Sequence, residues 1–303
     1  FEGEIVEGVN MLSGSLENDK MYSPGDEALV VVSYDDAGGI TSVTMTDHYR
    51  VDKEVILAIM FIVLLILFAG KNGVFAVLSF VITVLMIWKI LVPCYLRGMN
   101  PVIVGMGITV VLTAVIIFLV YGVDKRTLTA FMGSMLGTAT TCIIGMIFTD
   151  MFKIHGAVMS YSETLLYSGY QHLNLTQIFV SGIFIGASGA MMDLSVDITS
   201  AVHEVVQKKP DISWKEAAKS GMNVGRAAMG TMTTTLLLAY SGGYIALLMT
   251  FMAQGTPIIN ILNYKYVASE VLDTLVGSFG LVTVAPFTAL MSGLMLTGGR
   301  KEK

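Results

Sequence analysis

Asp193 and Asp197 stand four residues apart inside an otherwise apolar stretch, IFIGASGAMMDLSVDITSAV, a spacing that puts both carboxylates on one helix face. A charged side chain in hydrocarbon costs about 2.5–3.5 kcal/mol on insertion scales. Such groups therefore usually face a protein interior or a wet cavity and mark a functional path. The chemistry this pair offers is proton or cation binding. Asp193 lies farther from the base-rich end of its helix and is the better candidate for a buried group. Burial favours its neutral acid and a nearby base such as Arg226 favours its carboxylate, and the sequence leaves both open. Beyond Arg226 comes a hydroxyl run, GTMTTT, with Thr231, Thr233, Thr234 and Thr235. Two readings stand for it. The hydroxyls bond to carbonyls of their own helix, or they hydrate a path that relays protons or holds a cation beside Asp193.

Other chemistry is poorly supplied. HExxH and GxSxG are absent and the core spans hold no histidine, so no catalytic residues are assigned and an enzyme is the weakest reading. Lys153, His155, Glu163 and His172 follow no metal-ligand spacing; with Tyr161, Tyr167 and Tyr170 they read as an interfacial segment with an aromatic belt. Neither a metal nor a cofactor is expected. Cys94 and Cys142 read as packing residues, with a disulfide as the unsupported alternative. Glu270 and Asp273 open the last apolar stretch and read as ending in interfacial water, with a vestibule role as the other reading.

The elements that must hold Asp193 are membrane helices. The chain has 303 residues, 54% hydrophobic and 14% charged, with mean hydropathy +0.72, against about 25% charged in soluble domains. Apolar runs predict seven spans, near Val55–Gly70, Gly73–Tyr95, Val102–Gly122, Leu128–Phe148, Leu175–Val196 with an extension to Val206, Met229–Met252 and Val267–Leu296. Lys71 and Asn72 alone separate the first two, which suits a tight helical hairpin. Gly182, Gly186 and Gly189 remove side chains at helical spacing, so a neighbouring helix is expected to pack there and to bring the aspartates to a crossing. Asp211 or Ser213, with Glu216, predicts the start of an amphipathic helix over about 211–223 at the cytoplasmic surface. Pro286 is expected to kink the last span.

Residues 1–53 differ from the rest. Phe1–Val9, Ala28–Tyr34 and Ile40–Tyr49 read as strands between turn signals at Ser23–Asp26 and Asp35–Gly39. Glu2, Glu4, Glu7, Glu17, Asp19, Asp26, Glu27, Asp35, Asp36 and Asp47 make this part acidic. A solvated surface explains them, and cation capture or partner docking is the functional alternative. With this part outside, eleven bases, including Lys125, Arg126, Lys208, Lys209, Arg300, Lys301 and Lys303, fall on the inner side against six outside, as the positive-inside rule asks. The start at Phe1 rather than Met points to a trimmed or processed chain, and leaves open a further span before it. The fold expected is an all-α polytopic membrane bundle of about seven spans (54–299). A small extracytoplasmic β-rich domain (1–53) precedes it and a cytoplasmic tail (300–303) follows.

The segments IGASGAMMDLSVDITSAVHEV, SGMNVGRAAMGTMTTTLLLAY and ASEVLDTLVGSFGLVTVAPFTAL together resemble the YibE/F-like family of bacterial multi-span membrane proteins, over most of 55–297. The resemblance implies an inner-membrane protein with an extracytoplasmic domain, of the transporter or exporter kind. Thr233-Thr234-Thr235 stands where that family more often reads a Thr-Asn-Thr-like run, so no role is rested on an amide there. A fainter similarity joins Asp193, Val196, Glu204, Ala217, Gly221 and Thr234-Thr235 to the second half of a SecD-type membrane domain of the proton-driven RND-like superfamily. That similarity implies proton conduction by Asp193.

The reading is a secondary transporter or exporter in the bacterial cytoplasmic membrane, coupled to protons or cations through Asp193, with Asp197, Arg226 and the threonines as its polar surroundings. A non-transporting scaffold or assembly factor is the alternative, and a channel the third. The partners expected are the lipid bilayer and a small-molecule or ion substrate, with no nucleic acid. Small-residue helix faces also permit a homo-oligomer or a related membrane-protein partner.

Overall fold

Four of the long helices begin at side chains that satisfy their first free N–H groups. The Asn100 side-chain oxygen accepts from Val102 and Ile103 ahead of α3, with Pro101 in the first helical position. Asp124 and Thr127 form a capping box for α4, Asn174 accepts from Gln177 for α6, and Ser213 and Glu216 form a second capping box for α7. In chain order the elements are β1 (Ala28–Tyr34), β2 (Ile40–His48), α1 (Val51–Met86), a π-helical turn (Ile87–Leu91), α2 (Val92–Leu96), α3 (Pro101–Tyr121), α4 (Lys125–Met151), α5 (Ser162–Tyr167), α6 (Leu175–Lys208), α7 (Trp214–Ser241), α8 (Ile245–Ala253), α9 (Ile258–Asn263) and α10 (Lys265–Leu296). This computed structural model describes residues 3, 5–15, 18–36 and 38–298. Phe1, Glu2, Glu4 and Glu17 of the acidic segment, and Arg300, Lys301 and Lys303 of the tail, lie outside the described residues.

The chain divides into two compact units, Phe1–Val74 and Phe75–Lys303. In the first, β1 and β2 pair antiparallel, with Val32 opposite Val43. The strand expected over Phe1–Val9 reduces, among the described residues, to a single parallel bridge from Val9 to Thr44. Val43 is the buried residue of this small sheet, which is too narrow to enclose a core of its own.

Among the described residues, six helical stretches are long and apolar enough to cross a membrane. The first, Val51–Leu96, holds both runs expected as spans one and two. The break comes at Gly70, whose φ of 57° and ψ of −129° lie where only glycine sits without strain. A side chain on Gly73 would begin 2.5 Å from the Leu65 carbonyl oxygen, so the chain folds tightly at this point. Most apolar residues of this stretch are exposed, as lipid contact requires, while Leu91 near its end is buried against Ile108 and Leu112 of α3.

In the second unit α6 is the central helix. Met191, Leu194, Ile198 and Val202 of α6 pack with Ala217 of α7 and with Leu281, Val284, Ala285 and Ala289 of α10. Closest approaches use glycine and hydroxyl residues. A Cβ on Gly133 would strike Thr288, one on Gly137 would strike Val284, and one on Gly280 would strike Thr141 and Met191. Between α6 and α10, Ser195 bonds Thr288 at 3.1 Å and Thr199 bonds Ser292 at 3.2 Å, all four residues fully buried.

The segment expected as an amphipathic helix over 211–223 and leading into the sixth span forms the first turns of α7, which runs unbroken from Trp214 to Ser241. The reason is packing: Gly221 and Gly225 lie against Val202, Ile198, Ala285 and Ala289, which makes this segment a bundle helix from its first turns. Pro286 sits within α10, which continues through it to Leu296.

Candidate functional site

The helix α6 presents two unlike faces. Phe184, Met191, Leu194, Ser195, Ile198 and Thr199 are buried, whereas Gly182, Gly186, Asp193 and Asp197 form an exposed stripe with Gly189 half-buried between them. Both aspartates thus share one face, as their spacing predicts, but that face is open rather than enclosed. The 34 residues of α6 make it about 51 Å long, well beyond the ~30 Å of hydrocarbon. Asp193 lies about 27 Å from Leu175 and about 22 Å from Lys208 along the axis.

The neighbours of this pair come from the corner between α3 and α4. Tyr121, the last residue of α3, lies within electrostatic reach of Asp193, Asp197 and Arg126. The corner is held by Asp124, which accepts the Thr127 N–H at 2.8 Å while the Thr127 hydroxyl accepts the Asp124 N–H at 2.9 Å. Partial burial raises the Asp124 carboxyl, but the N–H and hydroxyl of Thr127 outweigh it and hold the group below its ordinary value. Arg126 pairs with Asp124 at 3.7 Å.

Arg226 does not join Asp193. Its exposed side chain lines a groove of about 340 Å³ between α7 and α10, with Lys219, Asn223 and Pro286. The charged neighbour that acts on Asp193 is Asp197. Nor do the threonines converge on the pair. Thr231 donates to Ala228 O at 3.0 Å, Thr233 to Met229 O at 2.9 Å, Thr234 to Gly230 O at 3.3 Å and Thr235 to Thr231 O at 3.0 Å. Each is satisfied within its own helix. Of the three glycines assigned to packing, only Gly186 meets a neighbour, the Tyr240 hydroxyl 3.0 Å from its would-be Cβ. Gly182 and Gly189 have nothing within 4 Å. Their spacing marks an open floor, and the close crossings belong to Gly133, Gly137, Gly221, Gly225 and Gly280.

The sequence reading named Glu270 and Asp273 but not the tyrosines that the fold sets beside them. Because α7 runs antiparallel to α10, its far end brings Tyr240 and Tyr244 beside Glu270 and Asp273. Tyr240 and Tyr244 both lie within electrostatic reach of the two carboxylates. The signal was present as acids three residues apart and tyrosines four apart at facing ends of neighbouring helices. Cys94 and Cys142 are free. Among the described residues no group of three or more His, Cys, Asp or Glu is placed to hold a metal ion.

Fold and composition together define a polytopic membrane protein whose central helix carries carboxylates on an open, glycine-floored face. More particularly, the chain belongs to the YibE/F-like protein family, whose model matches residues 57–298. No curated protein and no solved structure matches it, so the likeness to a SecD-type membrane domain finds no support there.

Proposed function

We propose that this chain is a secondary transporter or exporter of the cytoplasmic membrane, driven by protons or cations, with Asp193 and Asp197 carrying the coupling ion. The observation that carries the reading is the placement of both carboxylates on one open face of a helix whose other face is packed in the bundle, far along its axis from either end. A carboxylate left there without a base would face hydrocarbon at a cost, and binding a proton or cation removes that cost. Tyr121 adds a hydroxyl at the same level, and Gly182, Gly186 and Gly189 leave room for water or cargo along the stripe. In this reading the β1–β2 segment is extracytoplasmic, the α3–α4 corner and the carboxyl end are cytoplasmic, and the two parts of Val51–Leu96 cross separately, giving seven spans.

A scaffold role draws on one observation, the empty space beside Gly182 and Gly189, which would also seat a helix of another membrane protein. The deciding experiment is ion flux into liposomes bearing purified wild type or Asp193→Asn, both checked for folding, under an imposed pH or cation gradient. Flux with wild type and its loss in the variant is the expected result. Equal flux from the two, or none from either in any gradient, would overturn the carrier reading and favour the scaffold.

A further inference from the structure

Asp273 is the one carboxylate in the helical unit with an oxygen shut away and unanswered among the described residues: its Oδ1 is closed to solvent and has no hydrogen-bond partner. An acceptor so placed has lost its water without gaining a donor. A carboxyl can resolve that state by holding a proton. Glu270, one turn back, borders a cavity of about 230 Å³ with a mainly apolar lining, Leu237, Leu248, Val267, Val271 and Leu275, beside Ser241 and Thr274. The ionisable groups acting around Asp273 are Glu270 on its own helix, Tyr240 on α7 and Tyr244 in the turn that follows α7; among the described residues α4 and α6 add none.

Tyr240 ties this group to the α6 stripe. Its hydroxyl stands over Gly186, 3.0 Å from the point where a side chain would begin, and lies within electrostatic reach of Asp273. The Ser195–Thr288 and Thr199–Ser292 bonds fix α6 and α10 in parallel register. By that register Asp273 is level with Val180 and Asp193 with Pro286, about 20 Å apart along the bundle. Gly186 falls between them and Gly189 nearer Asp193, so the floor joining the two carboxylates carries no side chain at either position.

We propose that Asp273 is a second proton-carrying carboxyl of this domain, connected through the Tyr240 hydroxyl to the glycine-floored face that leads to Asp193. This rests on the carrier reading above. In the step envisaged, Asp273 gives its proton to water, the water passes it along the Tyr240 hydroxyl to the space over Gly186, and Asp273, now a carboxylate, is reprotonated from the Glu270 side. One proton moves and no other group changes state.

The test uses the full chain in liposomes and two readouts. Dicyclohexylcarbodiimide, which modifies protonated carboxyls in apolar surroundings, is applied between about pH 5 and about pH 9, a window that spans the ordinary and upward-perturbed carboxyl range. Mass spectrometry locates the adduct. The expected result is an adduct on Asp273 at the acid end that fades toward the alkaline end. Loss of flux is expected in Asp273→Asn, Tyr240→Phe and Gly186→Val, with flux kept in Thr140→Val, whose hydroxyl bonds only the Leu136 carbonyl of its own helix. No adduct on Asp273 at any pH would overturn the proposal without appeal to any variant's folding. So would wild-type flux in folded Asp273→Asn when Asp193→Asn has lost it, an outcome that leaves the carrier reading standing. A wild type without flux sinks the carrier reading, and the adduct alone then decides whether Asp273 holds a proton.

Discussion

Replacing Gly280 and Gly189 by alanine, one at a time, asks directly which side of the central helix is packed. A Cβ on Gly280 would run into Thr141 and Met191. Overpacking of this kind costs about 1–3 kcal/mol. Moving Thr141 also gives up its hydroxyl bond to the Gly137 carbonyl at 3.1 Å, worth about 1 kcal/mol. Against these stands the gain from putting alanine for glycine in a helix, about 1 kcal/mol. The net expectation for Gly280→Ala is a loss of about 1–3 kcal/mol. Gly189 has nothing within 4 Å of its would-be Cβ, so only the helix gain remains, up to about 1 kcal/mol. Thermal unfolding in one detergent, followed by tryptophan fluorescence, should lower Tm for Gly280→Ala and raise it for Gly189→Ala. At about 2–4 °C per kcal/mol the two variants should differ by on the order of 10 °C. If Gly189→Ala falls as far as Gly280→Ala, the α6 stripe is packed after all and the open-face argument fails.

Three further outcomes are expected. A double-mutant cycle on Ser195→Ala and Thr288→Val should return a coupling of about 0.5–1.5 kcal/mol, since each removes one partner of a buried 3.1 Å bond; zero coupling would remove this bond from the account of α6–α10 packing. Thr234→Val should leave stability within about 0.5 kcal/mol and flux unchanged, because its hydroxyl answers only the Gly230 carbonyl; lost flux would return the threonine run to the site. Near the amino end, the Asp19 carboxyl accepts the Ser13 N–H, the Ser13 hydroxyl and the Gly14 N–H. The Ser13 N–H, then its hydroxyl, hold the group below the ordinary 3.8. Its contribution is therefore complete above that value and is lost as pH falls through the lower folded-state value. Amide NMR of Ser13 and Gly14 should show these bonds released only at the acid end; release above about pH 5 would contradict the arrangement.

Much of the scaffold is legible in local pattern. Apolar runs mark the helices because a span must satisfy its backbone internally over about 20 residues, and Ser213 with Glu216 announces the start of α7. The carboxylate pair is legible for the same reason, since four-residue spacing is local geometry. What spacing could not carry is the direction a face points. Gly182 and Gly186 have the same pattern as glycines in a tight crossing, yet the crossings depend on Thr288, Val284 and Thr141, far off in sequence. Arg226 was drawn to Asp193 by opposite charge, but it faces Pro286 across the α7–α10 groove. Glu270 and Asp273 stand out in sequence as acids at the start of an apolar run, but Tyr240 does not, and only the antiparallel run of α7 against α10 brings it near them.

The hydroxyl pairs between α6 and α10 also act on motion. Ser195 and Thr199 are four residues apart, and so are their partners Thr288 and Ser292. Sliding one helix past the other by less than a turn leaves all four hydroxyls without their partners. A full turn, about 5.4 Å, sets Ser195 against Ser292 and restores one pair. The seam is thus notched: its resting position is held by two bonds and its next stop by one. A displacement of these helices along their axes would go by whole turns, one element clicking past its neighbour.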